Sequence, residues 1–71
     1  MDILMENLGK SIKVEAIYDW IKIIDYRIIK DKYGYKGWIE WNTERNPRHQ
    51  KISSIHLDQN EGFKRYFRWK I

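Results

Sequence analysis

The sequence predicts a small, mainly β domain of about five short antiparallel strands. These would wrap into a partly open barrel preceded by a short N-terminal helix. Three observations carry this reading. The first is composition: twelve Ile, five Tyr, four Trp and two Phe stand against a single Ala, Ala16. β-Branched and aromatic side chains suit a pleated, half-buried surface, and the best helix former is almost missing. The second is size. Seventy-one residues suffice for one domain spanning 1–71, whose core is thin because a short chain buries only roughly 60% of its unfolded surface. The third is that no Cys is present. Disulfides and thiolate metal sites therefore cannot reinforce that core, and large rings must supply the buried area.

In chain order, residues 2–9 are expected to form the short helix, with Asp2 as cap, Gly9 as stop and Ile3, Leu4 and Leu8 on one face. Residues 11–34, SIKVEAIYDWIKIIDYRIIKDKYG, carry two periods at once. At period two, Ile12, Val14 and Ala16 alternate with Lys13, Glu15 and Ile17. Ile24, Tyr26 and Ile28 then alternate with Asp25, Arg27 and Ile29, giving two strands that meet near Tyr18–Trp20. At helical period, Val14, Ile17, Ile21, Ile24 and Ile28 form an apolar stripe. Composition favours the strands. The alternative architecture is α+β, with one central helix at 11–32 on a three-stranded sheet.

YGYKGWIEWN, residues 33–42, predicts a turn and then a strand. Ile39 and Trp41 would face one way, Trp38 and Glu40 the other. NTERNPRHQ holds the only Pro, Pro47, and reads as a loop in which Asn42, Thr43 and Asn46 compete with regular structure. KISSIHL, 51–57, reads as a strand, and DQNEG, 58–62, as a turn. The closing GFKRYFRWKI packs four aromatics and four cations into ten positions. As a strand it sets Phe63, Phe67, Trp69 and Ile71 inward and Lys64, Tyr66, Arg68 and Lys70 outward. A helix capped by Asp58 with Glu61 is the alternative, and Lys64 and Arg68 oppose Phe63, Phe67 and Ile71 under both readings.

The segment DKYGYKGWIEW resembles the aromatic-lined strand of chromodomains and other SH3-like barrels. FKRYFRWKI resembles the closing strand of the bacterial WYL domain, itself SH3-like. Both likenesses imply an SH3-like barrel, with an OB-like one the close relative, and neither transfers any site residue.

Charge is uneven. Residues 1–31 hold five Lys/Arg against six Asp/Glu, a net of −1; residues 32–71 hold nine against four, a net of +5. Such a basic half favours polyanionic partners. Chemistry is poorly represented. Ser54 and His56 share a strand face with no acid implied beside them, His49 and His56 lack zinc-ligand spacing, and YGYKG is not followed by the Lys-Ser/Thr helix of a phosphate loop. The expectation is a non-enzymatic protein without cofactor or metal. MDILMENLGK lacks a basic n-region, and no apolar run approaches the ~20 residues of a membrane span, so the chain is expected in the cytoplasm, as monomer or homodimer, without membrane contact.

Basic residues interleaved with aromatics point to RNA or single-stranded DNA. Phosphate contacts are expected from Lys36, Arg45, Arg48, Lys64, Arg68 and Lys70, and stacking from Tyr35 and Tyr66. Tyr33, Trp38, His49 and Lys51 are further candidates for the same surface, although Trp38 and Trp41 are more often core than platform. The alternative is a protein-binding regulator or inhibitor, such as a phage-type factor acting on a host protein, because Trp, Tyr and Arg dominate interface hot spots.

Overall fold

A computed structural model describes residues 11–70 of the chain. It contains five strands in two antiparallel sheets, one short helix and no closed barrel. Strands β2 (Ile21–Asp31), β3 (Gly34–Thr43) and β4 (Gln50–Ser54) form the main sheet in that order. Strands β1 (Val14–Ala16) and β5 (Phe67–Trp69) form a second, two-stranded sheet. Between β4 and β5 run a single 3₁₀ turn, Leu57–Gln59, and helix α1, Glu61–Tyr66. The expected helix at 2–9 lies outside the described residues.

Residues 11–32 are extended, not the central helix of the alternative architecture. They are also not the hairpin that the period-two pattern implies, because β1 pairs with β5 and β2 with β3. Their connection, Ile17–Trp20, passes from one sheet to the other. The double periodicity has a local cause. Ile21 and Ile28 are both buried, yet they stand seven residues apart and would face opposite ways on a regular strand. The register shifts between Ile23 and Asp25, leaving Ile24 as an extra, exposed residue. This β-bulge reverses the inward phase, from Ile21 and Ile23 to Tyr26 and Ile28. A bulged strand therefore imitates helical spacing.

The β2–β3 turn is held by Asp31, whose Oδ1 accepts hydrogen bonds from the amides of Tyr33 (2.8 Å) and Gly34 (3.0 Å). These bonds, the Tyr33 amide above all, hold the exposed carboxylate below its ordinary pKa, with Lys36 Nζ adding attraction at 3.5 Å. Alternation on β3 follows the expected order, with Ile39 and Trp41 buried and Trp38 and Glu40 on the opposite face. In the loop that follows, Thr43 Oγ1 accepts from the Asn46 amide and Asn46 Oδ1 from the Arg48 amide, both at 3.0 Å.

The closing segment divides. It is helical through Tyr66 and becomes a strand at Phe67, correcting the expectation of one continuous strand. Asn60 caps the helix by accepting the Phe63 amide at 2.9 Å, a role expected of Asp58, which instead lies in the 3₁₀ turn. Gly62, an argument against a helix in the sequence, sits in a tight contact. A Cβ there would lie 3.2 Å from Ile52 Cδ1, so its absence lets α1 sit directly on β4.

The core lies on one side of the main sheet. Ile21, Ile28, Ile39 and Trp41 from the sheet meet Val14, Leu57, Phe63 and Phe67 from the elements laid over it. Rings supply much of the contact. Tyr35, Trp69, Phe63, Phe67, Trp41, Tyr66, Trp20 and Tyr18 form an unbroken ladder with successive centroids 4.4–6.3 Å apart. No charged or hydrophilic residue is fully buried among the described residues, although His56 Nδ1 and Asp58 Oδ1 are individually buried without hydrogen-bond partners.

Candidate functional site

α1, β1 and β5 cover one face of the main sheet, and no described element covers the other. Trp38 stands at its centre, half-buried among its neighbours. It is the one Trp of four outside the aromatic ladder. Antiparallel register fixes its neighbours: Arg27 opposite on β2 and Ser53 opposite on β4. The same face carries Ile29 opposite Lys36, and Glu40 opposite Lys51. Arg27, Ile29, Lys36, Trp38, Ser53 and Ile55 line a shallow hollow of ≈ 470 Å³. Ile55, one residue beyond β4, is 72% exposed.

The electrostatics of this face are mixed but leave two cations available. Lys51 Nζ lies 5.3 Å over the Trp38 ring, and neither it nor Arg27 has an ion-pair partner among the described residues. Lys36 pairs with Asp31 at 3.5 Å in an exposed contact of the kind that stabilises little, so it too is recruitable. Glu40, the acid nearest Lys51, is engaged by His49 Nδ1 at 3.1 Å. That contact ties His49, at the end of the 44–49 loop, to this face.

The residues anticipated from sequence do not converge on one surface. Lys36 lies on the open face, whereas Arg48 belongs to the β3–β4 loop, its amide donating to Asn46 Oδ1. Lys64, Arg68 and Lys70 belong to α1 and the segment of β5, which cover the opposite face; Lys64 pairs with Glu61 at 3.5 Å and Arg68 with Glu15 at 3.0 Å. Tyr35 is stacked on Trp69 at 4.4 Å with Lys30 above it. Tyr66 is packed between Trp41 and Trp20. Both expected stacking rings are thus half-buried members of the ladder. Arg45 lines a cleft of ≈ 440 Å³ with Trp20, Thr43 and Glu44 at one end of the main sheet.

Sequence reasoning missed Arg27, Ser53 and Ile55 for this surface, and considered Trp38 and Lys51 as candidates without assigning them a contact. Alternation from the buried Ile28 would have placed Arg27 outward beside Trp38, once the β2–β3 turn was set at Lys32–Tyr33. It also missed Tyr18 and Trp20, which are 44% and 43% exposed and stack at 5.2 Å. Their signal was position: rings in a short connection between strands come to the surface.

Among the described residues, no three His, Cys, Asp or Glu side chains gather as metal ligands, and no helix is long and apolar enough to cross a membrane. No protein-family model matches the chain, and no curated protein or solved structure is significantly similar to it.

Proposed function

We propose that the protein binds single-stranded nucleic acid, RNA or DNA, without catalysis, on the open face of its main sheet. The observation that carries this reading is the isolation of Trp38: a large ring at the centre of an uncovered sheet, with Arg27, Lys36 and Lys51 around it. Single-strand binders combine such rings, on which bases stack, with cations that track phosphates. Two sheets that do not close are read as an open form of the expected SH3-like or OB-like barrel, in which a sheet face commonly serves as the ligand surface.

Lys51 over Trp38 would have to yield to a base. An exposed cation–π contact is worth about 0.5–1 kcal/mol, and a base on an aromatic ring about 1–3 kcal/mol. The exchange favours the base, and the displaced ammonium is then free to meet a phosphate.

The test is an amide-resolved NMR titration of the labelled protein with mixed RNA and DNA oligomers. Shifts should centre on Arg27, Lys36, Trp38, Lys51 and Ser53. Three phosphate contacts predict a slope of log K against log salt near about −2 for a single strand. Absence of any shift at low salt sinks the proposal.

A second reading is favoured by a different observation. Ile17, Tyr18 and Trp20 are all exposed at one end of the molecule, and Trp and Tyr are hot-spot residues of protein interfaces. Under this reading the chain is a protein-binding regulator. Capture of a partner that persists at high salt and is lost in Trp20→Ala, with the Trp38 face unaffected, distinguishes it.

A further inference from the structure

We infer that the hollow beside Trp38 prefers thymine, through its 5-methyl group, over uracil and the other bases. The inference rests on the single-strand reading above and names the base class for the same surface.

The hollow has two chemically different rows. Arg27, Trp38 and Ser53 lie across the three strands as one row. Ile29 and Lys36 form the next row on the same face, roughly 6.6 Å further along the strands. Ile55, which follows β4, lines the same hollow. Two branched aliphatic side chains thus flank the space beside the ring, and Ile55 keeps most of its surface in water. Nothing in the core requires an isoleucine at an exposed position just past a strand of Gln, Lys and Ser.

A base stacked on Trp38 turns one edge along the strands toward Ile29, Lys36 and Ile55, with Arg27 on one flank and Ser53 on the other. Thymine matches this arrangement. Its C5–C6 edge is apolar and carries the methyl group, and with that edge turned toward the isoleucines O4 falls on a flank, where the Arg27 guanidinium or the Ser53 hydroxyl can donate to it. A base with amino or carbonyl groups on both sides would set polar atoms against isoleucine without partners, at a desolvation cost. Uracil keeps the polar edge and loses the methyl contact. Lys36, Lys51 and Arg27 surround the hollow with positive charge, complementary to the flanking phosphates.

The experiment compares oligo(dT) with oligo(dU) of about eight nucleotides, identical apart from the methyl groups, by quenching of Trp fluorescence or by NMR. Burying one methyl group predicts about fourfold tighter binding of dT. Ile55→Ser, at an exposed position, should bring the ratio toward one by weakening dT more than dU, and Ile29→Thr should move it the same way. Equal affinities for dT and dU overturn the inference and leave the platform standing. A dT preference that persists in both variants places the methyl elsewhere and overturns it as well. If neither oligomer binds, the inference falls together with the single-strand reading.

Discussion

Trp38 and Trp41 stand three residues apart on β3, in the same strand and sheet, and live in different worlds. Trp41 is 4% exposed, with its ring against Phe67 at 5.1 Å and Tyr66 at 6.3 Å. Trp38 has Arg27 on one side, Ser53 on the other and a lysine above. Strand alternation alone separates them: odd residues of β3 enter the core and even ones leave it. The contrast shows how a chain rich in large rings divides them between two tasks. Eight rings make a thin core cohesive. Trp38, like Tyr26 and Tyr33, stands outside that ladder, and a half-buried side chain on the face opposite the core is freer to be selected for binding.

The sharpest break of this comparison is Trp41→Ala. Removing a buried Trp costs about 3–5 kcal/mol, a large part of the total stability of a small domain. Chemical denaturation should show a midpoint collapsing toward zero denaturant. A loss under 1 kcal/mol would mean that the ladder is not what holds the core.

Gly37→Ala comes next. Gly37 sits at φ +146°, and a Cβ there would lie 2.0 Å from the Arg27 carbonyl oxygen. Backbone strain of this kind costs about 1–3 kcal/mol before the clash is counted. The variant should be clearly destabilised and should disturb amide shifts on both sides of the β2–β3 pair.

Trp38→Ala should be the mirror image of Trp41→Ala. Its thermal midpoint should stay within a few degrees of the parent, while affinity for a single strand falls by about 1–3 kcal/mol, roughly five- to 150-fold. Unfolding of this variant would erase the distinction between the two faces.

The smallest effect belongs to Asp31→Asn, read as a function of pH. Asp31 is held below its ordinary pKa by the Tyr33 and Gly34 amides and Lys36. Because the folded value is the lower one, its stabilisation is complete above the unfolded carboxylate range. It fades as pH falls through the depressed native value. The Asn variant should therefore be slightly less stable at neutral pH, and the two stability curves should converge in strong acid.

How much of this was legible beforehand differs by element. The facing of Ile39 and Trp41 against Trp38 and Glu40 was readable because β3 is regular and covered on one side. The course of residues 11–32 was only half readable. The extended backbone followed from composition, but the bulge at Ile24 breaks the parity on which a strand reading depends. The partner of β1 was hidden for another reason: Val14, Glu15 and Ala16 pair with Trp69, Arg68 and Phe67, and nothing local to either segment announces the other. In the closing segment, Gly62 argued against a helix because its reason for being there, contact with Ile52, is tertiary. The candidate site suffered similarly. Clustering of Lys and Arg along the chain suggested Lys64, Arg68 and Lys70, but cross-strand register brought Arg27 and Lys51 to the open face and sent the others to the far side.

The β1–β5 pairing also carries a kinetic consequence. Glu15 and Arg68, joined at 3.0 Å, are 53 residues apart in sequence, whereas β2, β3 and β4 are linked by short loops. Closing a segment of that length costs about 1.5 kcal/mol more entropy than closing one of ten residues. Long-range pairing of this kind slows folding. The three-stranded sheet thus has the topology of an early-forming unit, with the two-stranded ladder joining late and committing the chain to its native state. Hydrogen exchange should reveal the same order in reverse, with the β1 and β5 amides opening before those shared by β2 and β3.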